Sequence, residues 1–204
     1  VRVMLEEHPY GEGAGNGSIF QRLRGAGIAV AWSPADFKLS HDKYAIADRR
    51  SALIGTANWT ASAFTSNREY IVVDDDANDV TQLATIFEAD WNRRRQSAID
   101  DPHLVISPTN SRAGFLALIR SAQRQVDLEA EEMQDPEIED ALGQAARRGV
   151  AVRLVLPAPS GRDANAAGRQ RLASAGVNVR QLEHPYVHAK DIIVDDQEAF
   201  IGSE

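Results

Sequence analysis

The chain has 204 residues, 30 acidic against 22 basic side chains, a formal net charge of −8, 43% hydrophobic residues and no cysteine. That composition excludes a mainly disordered chain, a disulfide scaffold and thiolate metal sites. The acidic balance argues against a protein whose main work is non-specific binding to nucleic acid, although a local basic cleft is compatible with it.

In chain order, Val1–Leu5 reads as a buried strand, and Val1 to Glu7 has neither the basic start nor the long apolar run of a signal peptide. No segment approaches the apolar length of a membrane span. Gly11–Gly17 lacks the Gly-Lys-Ser/Thr ending of a phosphate loop and carries Glu12, so it reads as a flexible loop. Asn16 or Ser18 caps a helix to about Arg24, stopped by Gly25 and Gly27. Strands follow at Ile28–Trp32, Tyr44–Ala47, Ala52–Ile54 and Glu69–Val73. From Asp79 to about Arg95, Val80, Leu83, Ile86, Phe87 and Trp91 mark one helical face. Leu104–Ile106 reads as a short strand, and Asn110 or Ser111 opens a helix through Phe115, Leu116 and Ile119. Gln125–Leu128 is a strand. Asp135-Pro136 is an N-cap and first-turn proline for a helix ending at Gly149. Val150–Leu156, a helix over about Ala164–Ser174, Val177–Leu182, Asp191–Val194 and Ala199–Ile201 complete the order. Strands alternating with helices indicate an α/β layered fold with mixed, mostly parallel sheets.

The chain also repeats itself. Val1-Arg-Val-Met-Leu matches Val152-Arg-Leu-Val-Leu, Gln21-Arg-Leu-Arg-Gly-Ala-Gly-Ile-Ala-Val matches Gln170-Arg-Leu-Ala-Ser-Ala-Gly-Val-Asn-Val, and His41-Asp-Lys-Tyr matches His188-Ala-Lys-Asp. Two halves follow, 1–97 and 98–204, joined by the Asp79–Arg95 helix and a linker near Ser97–Pro102. The first copy opens at the strand matching Val152 and the second stops at Glu204, so the chain is expected to be cut at both ends.

Each copy carries the same polar set: His41, Lys43, Asp48, Gly55, Thr56 and Asn58, then His188, Lys190, Asp195, Gly202 and Ser203. Histidine and lysine two apart on a strand point to one face. Glycine at the next strand end lets backbone approach a ligand, and Thr56 and Asn58 offer a hydroxyl and an amide. Imidazole, ammonium, hydroxyl and amide together suit a tetrahedral phosphate oxyanion. Two sets face to face put two imidazoles on opposite sides of one phosphorus.

The duplicated His-x-Lys-x4-Asp-x6-Gly-Ser/Thr pattern resembles the phospholipase D superfamily, in particular bacterial phospholipase D and cardiolipin synthase-like members. The resemblance implies a duplicated α/β/α sandwich with halves related by a pseudo-two-fold axis. It implies a phosphodiesterase or phosphatidyltransferase for phospholipid that works through a phosphohistidine, without metal or cofactor. His41 takes the nucleophile's place and His188 the acid/base role, with Lys43, Lys190 and Asn58 stabilising charge and Glu69 bonded to a catalytic imidazole. Gly55, Thr56, Gly202 and Ser203 support the phosphate, and Asp48 and Asp195 are structural. Phospholipid is the expected partner, with peripheral membrane contact as a corollary. A metal-independent nuclease of the same superfamily and a non-catalytic phosphate-binding scaffold are the alternatives. Oligomeric state and localisation are left open.

Other features have plainer readings. Arg93–Arg95, near Glu88 and Asp90, reads as a solvated helix face. Glu129, Glu131 and Glu132 follow a strand end and read as solvated, with one of them a candidate for lining the cleft. His8-Pro9-Tyr10 and His184-Pro185-Tyr186 occupy different places in their repeats, although Tyr186 stands near His188. Trp59 reads as core or rim packing.

Overall fold

A computed structural model describes residues 1–9, 15–95, 99 and 101–203. The core of the Gly11–Gly17 loop, part of the Ser97–Pro102 linker and Glu204 lie outside the described residues.

The second half is built on a five-stranded sheet of order β12-β11-β7-β8-β9. Its strands are β7 (Gln125–Glu129), β8 (Ala151–Pro157), β9 (Asn178–Leu182), β11 (Asp191–Val194) and β12 (Glu198–Ile201). β7–β8 and β8–β9 are parallel, whereas β11 is antiparallel to both β7 and β12. Alternate residues Val126, Leu128, Val152, Leu154, Ile192 and Val194 enter one core. There they meet Leu116 and Ile119 of α4 (Ser111–Ser121), Leu142 of α5 (Pro136–Arg147) and Leu172 of α6 (Ala166–Ser174). Asp135 caps α5 by accepting from the backbone N–H groups of Glu137 and Ile138, with Pro136 in the first turn, as the sequence requires.

The first half repeats part of this plan in two pieces. β1 (Arg2–Leu5) and β2 (Ala29–Trp32), joined through α1 (Gly17–Gly25), form a parallel pair. β3 (Tyr44–Ala47), β4 (Ser51–Gly55) and β6 (Ile71–Asp74) form an antiparallel sheet of order β3-β4-β6. Among the described residues no strand joins β1 to β3, the place that β7 holds between β8 and β11. α3 (Ala77–Trp91), capped by the Asp76 carboxylate, covers one face with Val80 and Leu83 against Ala52. Arg2 ties β1 to α3 through Glu88 at 2.9 Å and lies 4.9 Å from the Phe87 ring centre. The sheets are therefore mixed, with antiparallel pairs as prominent as parallel ones.

Two expectations are corrected. Leu104–Ile106 is not a strand: the Asn110 side chain accepts from the Ile106 N–H at 2.6 Å and donates to the Leu104 carbonyl at 2.9 Å, replacing a ladder. Leu104 is buried all the same, in the first-half core. The third helix stops at Trp91, so Arg93–Arg95 follow it, and Arg93 takes a positive φ of 51°. Beyond the expected elements there are a short helix, α2 (Ala61–Thr65), and two two-residue strands, β5 (Asn67–Arg68) and β10 (Tyr186–Val187). β5 and β10 pair in parallel, one from each half. No helix among the described residues is long and apolar enough to cross a membrane.

Candidate active site

His41 and Lys43 lie in the extended segment just before β3, and His188 and Lys190 hold the same place before β11. The ladder reaches both lysines: Gly55 N–H donates to the Lys43 carbonyl at 3.0 Å and Gly202 N–H to the Lys190 carbonyl at 3.2 Å. Each lysine Nζ also donates to the backbone carbonyl of its histidine, which folds the ammonium back along the chain. Glu6, just after β1, accepts from the Ser40 N–H at 2.8 Å and from Ser33 Oγ at 3.1 Å, and so fixes the irregular segment leading into His41. Nothing in the sequence pattern singles Glu6 out.

The two halves hold each other's histidine. β10 runs beside β5 with Val187 opposite Arg68, which sets His188 next to Glu69. His188 Nδ1 is 2.8 Å from one Glu69 oxygen and 2.9 Å from the other. Asn58 Nδ2 lies 3.5 Å from His188 Nε2. In return, His41 Nδ1 lies 2.9 Å from the Ser203 carbonyl. A carbonyl only accepts, so Nδ1 of His41 donates and its Nε2 keeps the lone pair; a carboxylate imposes the same tautomer on His188. Burial first, then Lys43, pushes the His41 pKa down from its ordinary value. Burial and Lys190 lower that of Lys43 to about 8.

The remaining motif residues act behind these groups. Thr56 is fully buried. Its hydroxyl donates to Glu69 at 2.6 Å and accepts from the Tyr70 N–H at 3.0 Å, so it props Glu69 and offers nothing to a ligand. Gly55 serves strand packing where ligand approach was expected: a Cβ there would stand 2.5 Å from the Tyr70 carbonyl oxygen. At Gly202 a Cβ would stand 2.5 Å from the Phe200 ring. Asp48 and Asp195 open hairpin turns with positive φ (53° and 55°), a conformation that aspartate tolerates better than most residues. Asp195 also accepts from the backbone N–H groups of Gln123, Arg124 and Gln125, which ties the hairpin to the start of β7.

Of Glu129, which ends β7, and Glu131 and Glu132, which follow it, Glu131 enters the cleft. Its Oε2 lies 2.8 Å from Lys190 Nζ and 3.4 Å from His188 Nε2, and its Oε1 accepts from Tyr186 OH at 3.0 Å. Glu129 accepts from Tyr70 OH at 3.4 Å across the halves. Beside Lys43, Leu53, Ile54, Ala57, Trp59, Phe64 and Ile71 line an apolar cleft in which Trp59 and Phe64 are exposed. A set of possible metal ligands, Asp79, Asp101 and His103, gathers within 4.8 Å at the start of α3, outside the histidine pair. These three satisfy one another: His103 Nδ1 lies 3.3 Å from Asp79, and Asp101 accepts from the His103 N–H at 2.9 Å.

The model of a family described as cardiolipin synthase, PLD-like domain matches residues 1–91 and again residues 115–204. A mitochondrial cardiolipin hydrolase of Xenopus laevis is 38% identical over 78 residues, which cover 38% of this chain and 37% of that protein. The protein of the same name from Mus musculus is 37% identical over 76 residues, covering 37% of this chain and 34% of that one. The match thus spans about a third of these relatives' length. Among solved structures, polyphosphate kinase from Porphyromonas gingivalis superposes with a TM-score of 0.73 at 20% identity, covering 100% of this chain and 33% of that one. Phosphatidylserine synthase from Haemophilus influenzae gives a TM-score of 0.66 at 13% identity, covering 96% of this chain and 63% of that one. At these identities the likeness is one of fold.

Proposed function

The chain belongs to the cardiolipin synthase, phospholipase D-like domain family, and on that footing we propose that it cleaves or transfers phosphodiesters of phospholipids through a covalent phosphohistidine. The observation that carries this reading is the reciprocal holding of the histidines: Ser203 fixes His41, and Glu69 fixes His188. The partners differ, and so do the roles. Burial and the neighbouring Lys43 favour the uncharged form of His41, which suits a nucleophile, and the Ser203 carbonyl fixes its ring. The Glu69 carboxylate holds His188 by Nδ1 and leaves Nε2 to exchange a proton with the leaving or entering oxygen, which suits an acid/base.

In the first step, Nε2 of His41 attacks phosphorus while the bond to the leaving alcohol breaks. His188 delivers its proton to that oxygen. In the second step, His188 takes a proton from water or an acceptor alcohol, whose oxygen attacks phosphorus, and the P–N bond breaks to free His41. Lys43, Lys190 and Asn58 neutralise charge on the non-bridging oxygens, the task that a divalent cation performs in other phosphoryl-transfer sites. Thr56 and Glu69 hold His188 through both steps.

The phospholipid reading draws support from the relatives' names and from the exposed Trp59 and Phe64 beside Lys43, an apolar ledge where acyl chains can rest during contact with a membrane surface. The net charge of −8 counts against the nuclease alternative.

The test is a phosphodiesterase assay in EDTA with phosphatidylcholine, cardiolipin and single-stranded DNA side by side, and His41→Ala as control. Lipid turnover that survives EDTA and disappears in the variant is expected. Turnover of DNA alone would replace this reading with the nuclease, and turnover of nothing would leave a phosphate-binding scaffold.

A further inference from the structure

We propose that Glu131 is the charge selector of the phosphate site: its carboxylate holds one anion seat, at Lys190 and His188, and restricts the site to singly charged phosphodiesters. This rests on the phosphodiesterase reading and assigns a specificity role to a residue outside the repeated motif.

The seat is defined by its contacts. One Glu131 oxygen lies 2.8 Å from Lys190 Nζ and 3.4 Å from His188 Nε2, the nitrogen that must face the reacting phosphate. The other accepts from Tyr186 OH at 3.0 Å. One carboxylate oxygen thus stands against the lysine and histidine that a non-bridging phosphate oxygen would meet. The placement does not depend on the side chain alone. Asn165, buried in the second half, donates to the Glu131 carbonyl at 2.9 Å and accepts from the Met133 N–H at 2.8 Å, so the backbone of this irregular segment is pinned. The side chain retains 26% exposure and has room to rotate outward when a ligand takes the seat. Lys190 and His188 hold its pKa below the usual value despite burial, so the carboxylate is charged.

The selection follows from charge. Lys43 and Lys190 face Glu69, which is committed to His188, and Glu131, which is committed to Lys190. A phosphodiester brings one negative charge and displaces one carboxylate from Lys190. A phosphate monoester brings two into the same space, with Glu131 still tethered nearby. Like charges held close in a partly desolvated cleft are costly, so the second charge is the one rejected. A glutamine at this position would keep the shape and the Tyr186 contact and remove the repulsion.

The experiment is a 31P NMR titration at pH 7.5 with two probes that differ by one methyl group, dimethyl phosphate (a monoanion) and methyl phosphate (a dianion). The proteins are wild type, Glu131→Gln and Tyr186→Phe. In Glu131→Gln, affinity for methyl phosphate is expected to rise about tenfold and affinity for dimethyl phosphate less than about threefold. Tyr186→Phe retains the carboxylate and is expected to keep the wild-type ratio of the two affinities. Glu131→Ser, read in the same way, covers a glutamine variant that does not fold. Equal gains for both probes, or no gain for either, would overturn the charge-selector role while leaving the phosphodiester site intact. Failure of every protein to bind either probe would overturn both readings together.

Discussion

Two imidazoles from matching positions of a repeat are held by different acceptors, and that difference has a consequence in pH. His41 must be unprotonated to attack. Burial and Lys43 lower its pKa, so the free base persists to more acidic pH than an ordinary histidine allows. Lys43 must be protonated to neutralise phosphate, and its pKa is lowered to about 8. The rate therefore falls as pH drops through the His41 value, below 6.5, and falls again as pH rises through about 8. A bell-shaped kcat/KM profile with its basic limb near pH 8 is expected. Lys43→Arg keeps the charge well past that pH, so its basic limb should move up by at least one unit. Its maximal rate should still fall about tenfold, because a planar guanidinium cannot take the folded-back position of the ammonium. A limb that stays at pH 8 in Lys43→Arg would remove Lys43 as the titrating group.

The position of these side chains depends on a close approach of β4 and β6. Gly55 sits opposite Ile71, and the Tyr70 carbonyl that a Cβ would strike accepts the Thr56 N–H at 3.0 Å. Gly55→Ala must push Tyr70 away, and Thr56, Glu69 and His188 are linked to it in series. A loss of about 2 kcal/mol in stability is expected, with activity falling further than the melting temperature predicts. Full activity in a folded Gly55→Ala protein would show that the chain of contacts is not needed. The His-x-Lys pairs and the Gly-Ser/Thr ends stand out in the sequence because repetition is a local signal, whereas Glu69 has no second copy in the chain and was singled out through the family resemblance alone. Other features were not. Leu104–Ile106 looks like a strand until the Asn110 amide is seen to take its backbone partners. β5 and β10 are two residues long and exist only because the halves meet. Glu131 was one of three equivalent candidates, and Asn165, far along the chain, decides where its backbone lies.

At the scale of the whole molecule, the five-stranded and three-stranded sheets are covered unequally. The molecule exposes 12547 Å² of surface, whereas a compact monomer of 22.3 kDa exposes about 9,400 Å². Some of the exposed apolar side chains gather on one sheet face. The face of β4 and β6 away from α3 leaves Leu53 39%, Ile71 48% and Val73 71% exposed, and Trp59 and Phe64 extend it towards Lys43. The repeat shows what such a face holds when covered: Phe200, the counterpart of Leu53, packs edge-on against Phe115 of α4 with ring centres 4.6 Å apart. An uncovered apolar face of this extent drives association in water. The chain on its own is therefore expected to self-associate with rising concentration in sedimentation runs and to bind an apolar fluorescent dye. Val73→Lys, which touches none of the histidine or lysine partners, should suppress both. Because the same face reaches Lys43, a short-chain phospholipid should also dissociate the assembly, as surface used for self-contact becomes surface used for lipid. A strictly monomeric, dye-silent protein would mean that this face is too dispersed to act as one patch, and would remove the apolar ledge as support for a lipid substrate.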